Sequence, residues 1–432
     1  MTPSPPLLLL ASAAWAHVGA LVNSVDVIAP SEGQGVGVEA TVGLLWSEDD
    51  GQRFVWVCHE LLTTPDAILL PRFQRSTAGV WLATLPDPAQ ARDLQTTLHR
   101  SEDLCTWTAP SGLEGQVVAV SAFAPSDPAR AWAGTATPAV DNGVWRSDDA
   151  GQTFTSMTTL GRQDVIAVVP SPDDAAVIWA SAEERSTGRS LLHHSEDGGE
   201  TWQATAYAPP QGEAWTIRVL AAVPGQAGAA WLVRDPVGVD TLLFTEDRGV
   251  TVREVAALDG EVFDVALDGA DAIWLSLDGR SLERVTRDGE RGVLDAPAAS
   301  GLDAARGRLW LATNLQLEGH GLSWTEDGLS YTDALFVHTD VIGPLDCAEG
   351  TDLAEVCEPL WPALSDSLQA LSPPEDSGLD SSSARDSTPT AKEGPAPCGC
   401  GASPAGAAWV LTALLAWGRR RSAAAPGAAR SG

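Results

Sequence analysis

The chain has 432 residues, 26 of them basic and 58 acidic, for a net charge of −32. A field of that sign repels phosphate backbones, so nucleic acid is excluded as a partner. Acidity alone does not make a calcium site, and no D-x-[DN]-x-[DN]-G loop is present, so no metal or other cofactor is expected.

Residues 1–16 read as a secretory signal. Leu7 to Trp15 is an apolar run, and Ala14-Trp15-Ala16 is an A-x-A cleavage signature before His17. The basic region that usually precedes such a run is missing.

From residue 17 to about 340 one pattern recurs. Its fullest copy is Ser195-Glu-Asp197-Gly-Gly199-Glu-Thr201-Trp202, and Ser147-Asp-Asp149-Ala-Gly151-Gln-Thr153-Phe154 keeps every key position. Ser47-Glu-Asp49-Asp-Gly51 lacks only the threonine. Thr245-Glu-Asp247-Arg-Gly249 lacks the aromatic. Two copies are one residue shorter, at Ser101-Glu-Asp103 and Thr325-Glu-Asp327. A worn copy sits at Thr286-Arg-Asp288-Gly289. A short Asp side chain can accept backbone amides two residues on, Ser or Thr adds a second local bond, and Gly tolerates positive φ. Each copy therefore reads as a hairpin turn, and these aspartates read as structural.

A second signal runs in phase. Trp-centred strands appear at Trp81, Trp132, Trp179, Trp231, Trp274 and Trp310, most of them preceded by a short run such as Val117–Val120 or Val262–Val265. One unit reads strand, turn, Trp strand, loop, strand, Asp turn, strand. Four short strands per unit of roughly forty to fifty residues is the period of a propeller blade. The expected fold is all-β, a β-propeller of seven blades, or six if the copy at Thr286 does not count. The segment Gly35–Leu45 supplies strands for the first blade and is a candidate to pair with the last unit and close the ring.

The Ser/Thr-x-Asp-x-Gly-x-Thr-aromatic pattern resembles the Asp-box, or BNR repeat, of sialidase-like β-propellers. That resemblance implies turns at the rim, away from a ligand face at the centre of the ring.

Four cysteines suit disulfides in an exported chain. Neighbouring blade rims suggest Cys58 with Cys105, and the short acidic loop of a 341–364 extension suggests Cys347 with Cys357. From Ser365 to Pro397 the chain is rich in Ser, Pro and Asp without apolar period, and reads as a disordered spacer. The tail, 398–421, opens with Cys398-Gly-Cys400, continues with an apolar run to Trp417 that is one short hydrophobic helix, and ends in Arg419-Arg-Arg421. Residues 422–432 follow as a cytoplasmic tail, because basic residues flank the run on that side only. Two cysteines cannot complete a tetrahedral metal shell. The tail resembles the MYXO-CTERM tripartite sorting signal of myxobacterial surface proteins, which implies a sorting protease, a processing site at Cys398 and Cys400, and display at the cell surface.

No catalytic residues are assigned. His59-Glu60 lacks the second histidine of a zinc-protease helix, and no G-x-S-x-G elbow occurs. His193 and His194 are adjacent on a strand and point to opposite faces. The two tyrosines, Tyr207 and Tyr331, do not match the sialidase site. Asp264 and Asp268 are the best-placed acids for a polysaccharide hydrolase. The expected function is a surface-anchored, non-catalytic binding or adhesion module with a glycan or protein ligand at the top face of the ring. The alternative is a secreted sialidase-like glycoside hydrolase, marked by converging acids or an arginine trio in the central cleft. A third reading, an assembly factor, would require a basic or apolar rim.

Overall fold

A computed structural model describes residues 23–64, 70–85, 97–138, 140–209, 215–236 and 239–370. The expected signal segment 1–16, the spacer beyond residue 370 and the tail with Cys398 and Cys400 lie outside the described residues.

The chain folds as a seven-bladed β-propeller. Each blade is a consecutive antiparallel meander. The inner strands are Ser24–Ile28, Arg72–Arg75, Val118–Ala124, Gln163–Pro170, Trp215–Ala222, Val262–Asp268 and Ala299–Ala305. Each touches the inner strand of the next blade, and the seventh touches the first, so the ring is closed. The sixth blade is real: its third and fourth strands, Ser281–Thr286 and Arg291–Leu294, pair across the worn turn. There Thr286 Oγ1 accepts the Glu290 amide, and Asp288 makes none of its counterparts' bonds.

The repeated turns join the third and fourth strands. In the fullest copy Ser195 Oγ accepts the Gly199 amide at 2.9 Å and donates to Asp197 at 2.8 Å. Asp197 in turn accepts the amide and the hydroxyl of Thr201 at 2.9 and 2.6 Å. Asp149 and Asp247 repeat this set with Thr153 and Thr251. At Asp49 the Arg53 side chain replaces the missing threonine. The two shorter turns close one residue earlier, with Ser101 accepting from Leu104 and Thr325 from Gly328.

Turns and tryptophans are in phase because they meet. Gly199, at φ 86°, lies so close to Trp132 of the preceding blade that a Cβ there would be 3.2 Å from the indole. Gly249 meets Trp179 and Gly328 meets Trp274 in the same way. Trp132, Trp179, Trp231 and Trp310 are fully buried between sheets. Truncating a buried indole typically costs about 3–5 kcal/mol, more than any single turn bond.

The first blade does not exchange strands with the last. Val36–Ala40 and Gly43–Ser47 pair within their own sheet. It is Val341–Pro344, after the seventh blade, that adds to the outer edge of blade one, parallel to Phe54–Cys58. This crossing corrects the expected cysteine pairing: the disulfides are Cys58–Cys357 and Cys105–Cys347. A helix at Asp352–Val356 separates Cys347 from Cys357 and delivers each to a different blade. Long loops closed in this way stabilise by on the order of 2–5 kcal/mol each. Blade two has only three strands, with a single bridge from Arg100 to Thr108 in place of the fourth. The extension packs there, where Asp352 accepts the Trp107 amide and the Leu353 amide reaches Cys105 O. The expected disorder from residue 365 is also corrected. A helix, Trp361–Ala370, continues past that boundary because Leu364 and Leu368, four apart on one face, are buried in the core of blades one and two.

Ser195→Ala should lower stability by about 1–3 kcal/mol, because the buried Gly199 amide loses its acceptor. Asp197→Ala should lower the Tm as well, and a chemical-denaturation midpoint unchanged in both variants would refute the role of the turn.

Candidate functional site

The inner strands line the central channel, and their sequences place charges among apolar neighbours: Val25-Asp26-Val27, Ile217-Arg218-Val219, Phe263-Asp264-Val265, Leu302-Asp303-Ala304. Of the flanking residues Val27, Ile217, Val219 and Leu302 are buried, whereas the charges keep partial exposure. Most inner strands also carry a bulge, including those at Ser24/Asp26 and Val262/Asp264, which re-aims the next side chain.

Asp264 meets Asp26 of blade one rather than Asp268. The two carboxyls lie near enough to act on one another. Gly301 lets the strands approach, since a Cβ there would lie 2.4 Å from Asp26 Cα. Asp264 also accepts the Leu302 amide at 2.6 Å. Asp268 sits at the far end of the strand, in an ion pair with Arg284 at 2.5 Å. The pair expected from sequence is therefore not brought together.

Around this contact lie Glu39, Arg72 and Asp303. Glu39 accepts the Phe73 amide of blade two and an Arg72 bond of 3.1 Å. Arg72 also reaches Asp26 at 3.5 Å, and its side chain is 52% exposed, so the channel is open to solvent there. Asp303 accepts the Ala29 amide at 2.7 Å. Burial raises the pKa values of the acids in this group. Asp264 is pushed well above the usual range by burial and by Asp26. Glu39 and Asp303 are each pushed up to about 7, burial outweighing Arg72 at Glu39. At the blade five–six seam Asp240, which holds the Val262 amide at 2.7 Å, is raised to about 6 by burial.

These bonds belong to a rule. At every seam but that between blades three and four, a polar side chain of one blade accepts an amide of the next blade's inner strand or the residue after it. Thr97 serves Val118, Ser190 and Ser181 serve Ile217 and Val219, and the carboxyls serve the rest.

Arg218 differs from the other charges in the channel. Among the described residues it makes no hydrogen bond and no ion pair, although Asp235, Asp240 and Asp264 are near enough to act on it. Asp26, Glu39, Arg72, Asp303 and Arg218 were not singled out from sequence. For Asp26, Asp303 and Arg218 the signal is a lone charge inside an inner strand; Glu39, on the second strand of blade one, and Arg72, at the start of Arg-Phe-Gln-Arg, carry no such signal.

The other expected residues lie elsewhere. In a meander the third-to-fourth strand turns sit at the opposite end of the blade from the loops that lead into the inner strands. Ser47, Asp49, Ser101, Asp103, Ser147, Asp149, Ser195, Asp197, Thr245, Asp247, Thr325 and Asp327 therefore stand away from the channel mouth near Arg72. His193 and His194 point to opposite faces, the latter against Trp179 with ring centroids 4.4 Å apart. Both tyrosine hydroxyls are engaged locally, Tyr207 with Gly249 O and Tyr331 with Gly328 O. Among the described residues no group of His, Cys, Asp or Glu is arranged to hold a metal ion.

No family model and no curated protein matches the chain. Solved structures do. A puromycin-hydrolysing peptidase of Mycobacterium tuberculosis matches at 13% identity and a TM-score of 0.49, over 77% of this chain and 55% of that one. A prolyl endopeptidase matches at 14% and 0.48, over 76% and 51%. An ancestral GH74 enzyme matches at 14% and 0.38, over 72% and 38%. In each case the chain covers less than two thirds of the neighbour's length, and the likeness is one of fold.

The raised and lowered carboxyls predict a pH profile. A group whose folded-state value is raised stabilises fully below its unfolded value, near 4.5 for Glu39 and 3.8 for Asp303, and loses that contribution as pH rises through about 7. The turn residues Asp197 and Asp327, held at about 2 by hydrogen bonds from their own turns, do the reverse and lose theirs as pH falls below the usual 3.8. Calorimetry should find the highest Tm between about pH 4 and 6 and a decline toward pH 8. Glu39→Gln or Asp303→Asn should flatten that decline, and a Tm that rises from pH 5 to 8 would contradict the assignment.

Proposed function

We propose that the chain is an exported, surface-anchored Asp-box propeller that acts as a non-catalytic binding or adhesion module. The observation that carries this reading is the commitment of the channel acids. Asp264, Asp303 and Glu39 each already hold a backbone amide of a neighbouring blade. A catalytic acid or base must instead be free to face a substrate proton. The ligand face is the channel mouth at the end opposite the Asp turns, and its ligand is a glycan or a protein. The tail from Cys398 engages a membrane and a sorting protease and places the propeller at the cell surface.

A second reading, a glycoside hydrolase, draws on the Asp26–Asp264 contact, since two carboxyls sharing a proton divide acid and base roles. Asp264 is nonetheless held by the Leu302 amide, and Asp26 by the Val27 amide and Arg72, which favours binding.

A glycan-array screen of the purified chain, read for both retention and product release, separates the two. Retention without product is expected. Product release that Asp264→Asn abolishes, in a chain that still folds, would establish the hydrolase. Deleting residues from Cys398 onward should release the protein into the medium, and retention of the truncated chain on cells would refute the anchor.

A further inference from the structure

The seam between blades three and four lacks the borrowed acceptor found at the other seams. At its mouth end the outer strand of blade three, Thr155–Gly161, runs into the inner strand of blade four, Gln163–Pro170. The loop between Ile178–Glu184 and Arg189–Ser195 stands at the same end. These two segments border an open cleft of about 360 Å³, lined by Leu160, Arg162 and Gln163 from the first and by Glu184, Arg185 and Ser186 from the second. Gln163 is paired with Glu184 in the first rung of the blade, and Glu184 with Arg189. Residues directly opposite in an antiparallel ladder share one face of the sheet.

Two of these side chains are fixed from outside the cleft. Arg185 gives Nε to Asp164 at 2.7 Å and Nη2 to Thr137 O of blade three at 3.0 Å. Glu184 accepts from Thr187 and Arg189 at 2.6 and 2.9 Å. Gln163 is different. Its Oε1 is buried at the cleft and has no hydrogen-bond partner among the described residues. A buried acceptor left in this state is costly until a donor reaches it. We propose that the cleft is a subsite for one sugar residue of a glycan, with a ring hydroxyl donating to Gln163 Oε1.

The lining selects the chemistry. An ionised carboxylate or sulfate brings no hydrogen to Gln163, and a peptide N–H donates without accepting. A hydroxyl does both. One that donates to Gln163 can also accept from Arg185, whose Nη1 is taken by neither Asp164 nor Thr137. Leu160, half-buried against the core between blades three and four, supplies an apolar patch for the carbon face of a ring. Small-molecule sites span about 300–1,000 Å³, and this cleft falls at the lower end, which suits a single ring. The groove at the turn rim, about 500 Å³, makes no such demand. There Arg248 is bridged to Glu196 at 2.7 Å, and Asp247 is engaged by its own turn. None of the residues lining that groove presents a buried side-chain group without a partner.

This inference rests on the reading of the chain as a binding module with a glycan ligand, but the two fail separately. Product release on the glycan array would remove the binding module and leave the subsite test below intact. Retention on the array that Gln163→Met leaves unchanged would remove the subsite and keep the module. The probes are the methyl glycosides of glucose, mannose and galactose, with N-acetylglycinamide standing for a peptide and acetate for a carboxylate. Each is titrated into the full chain and followed by saturation-transfer NMR. At least one hexoside should bind roughly tenfold more tightly than the amide or acetate. Gln163→Met keeps the length of the side chain and removes its acceptor. It should weaken hexoside binding roughly tenfold and leave the Tm unchanged or higher, because a buried unpaired oxygen is gone. Absence of hexoside binding would overturn the proposal, and so would amide or acetate binding as tight as the best hexoside. A Gln163→Met chain that binds hexoside unchanged would overturn it as well. So would one that loses stability, since Gln163 would then be a structural group.

Discussion

The constraint on which this ring depends is the open edge of its inner strands. Each blade is a separate sheet, so seven strand edges face the channel with amides that no neighbouring strand can pair. Buried amides without acceptors are costly. The fold meets this by lending side chains across seams. Thr97, Ser181, Ser190, Glu39, Asp240, Asp264 and Asp303 each accept an inner amide of the next blade. Hydroxyls do this without electrostatic consequence. Carboxyls do it while being drawn out of water, and that burial, which outweighs the bonds themselves, raises the affinity of Glu39, Asp303 and Asp240 for protons.

Closure is the second problem. Without strand exchange, blades seven and one meet only through side chains and packing. At one end Arg306 and Arg308 reach Asp50, with Arg308 stacked 3.7 Å from the Trp324 ring. In the channel the Asp26, Asp264 and Asp303 set joins blades six, seven and one. Outside, the extension runs past the seam, pairs with blade one and is fixed by Cys58–Cys357 and Cys105–Cys347. It also covers blade two, whose fourth strand is missing. The disulfides thus convert a closure made of weak contacts into a covalent one.

Much of this was legible along the chain. The Asp turns, the Trp strands and their phase gave seven units, because a blade is local: its strands follow one another and its turn bonds span at most four residues. The worn copy at Thr286 was legible too, since a hairpin needs a turn there whether or not Asp288 holds it. The disulfide partners were not legible, because they depend on where the extension travels after the ring has closed. Nor was the helix Trp361–Ala370, since Leu364 and Leu368 become a buried face only when blades one and two supply a surface.

The sequence by itself determined the architecture, because period, turn chemistry and apolar alternation act between near neighbours. Only the tertiary structure decided the channel. It set Asp26 against Asp264, 238 positions apart, and left Asp268 to an arginine at the other end of its strand. It also brought Arg218 near Asp235, Asp240 and Asp264 of three different segments, a property no residue carries in its own sequence context. Which charges are paired is settled by the ring, since the residues that meet across a channel are set by closure and not by distance along the chain.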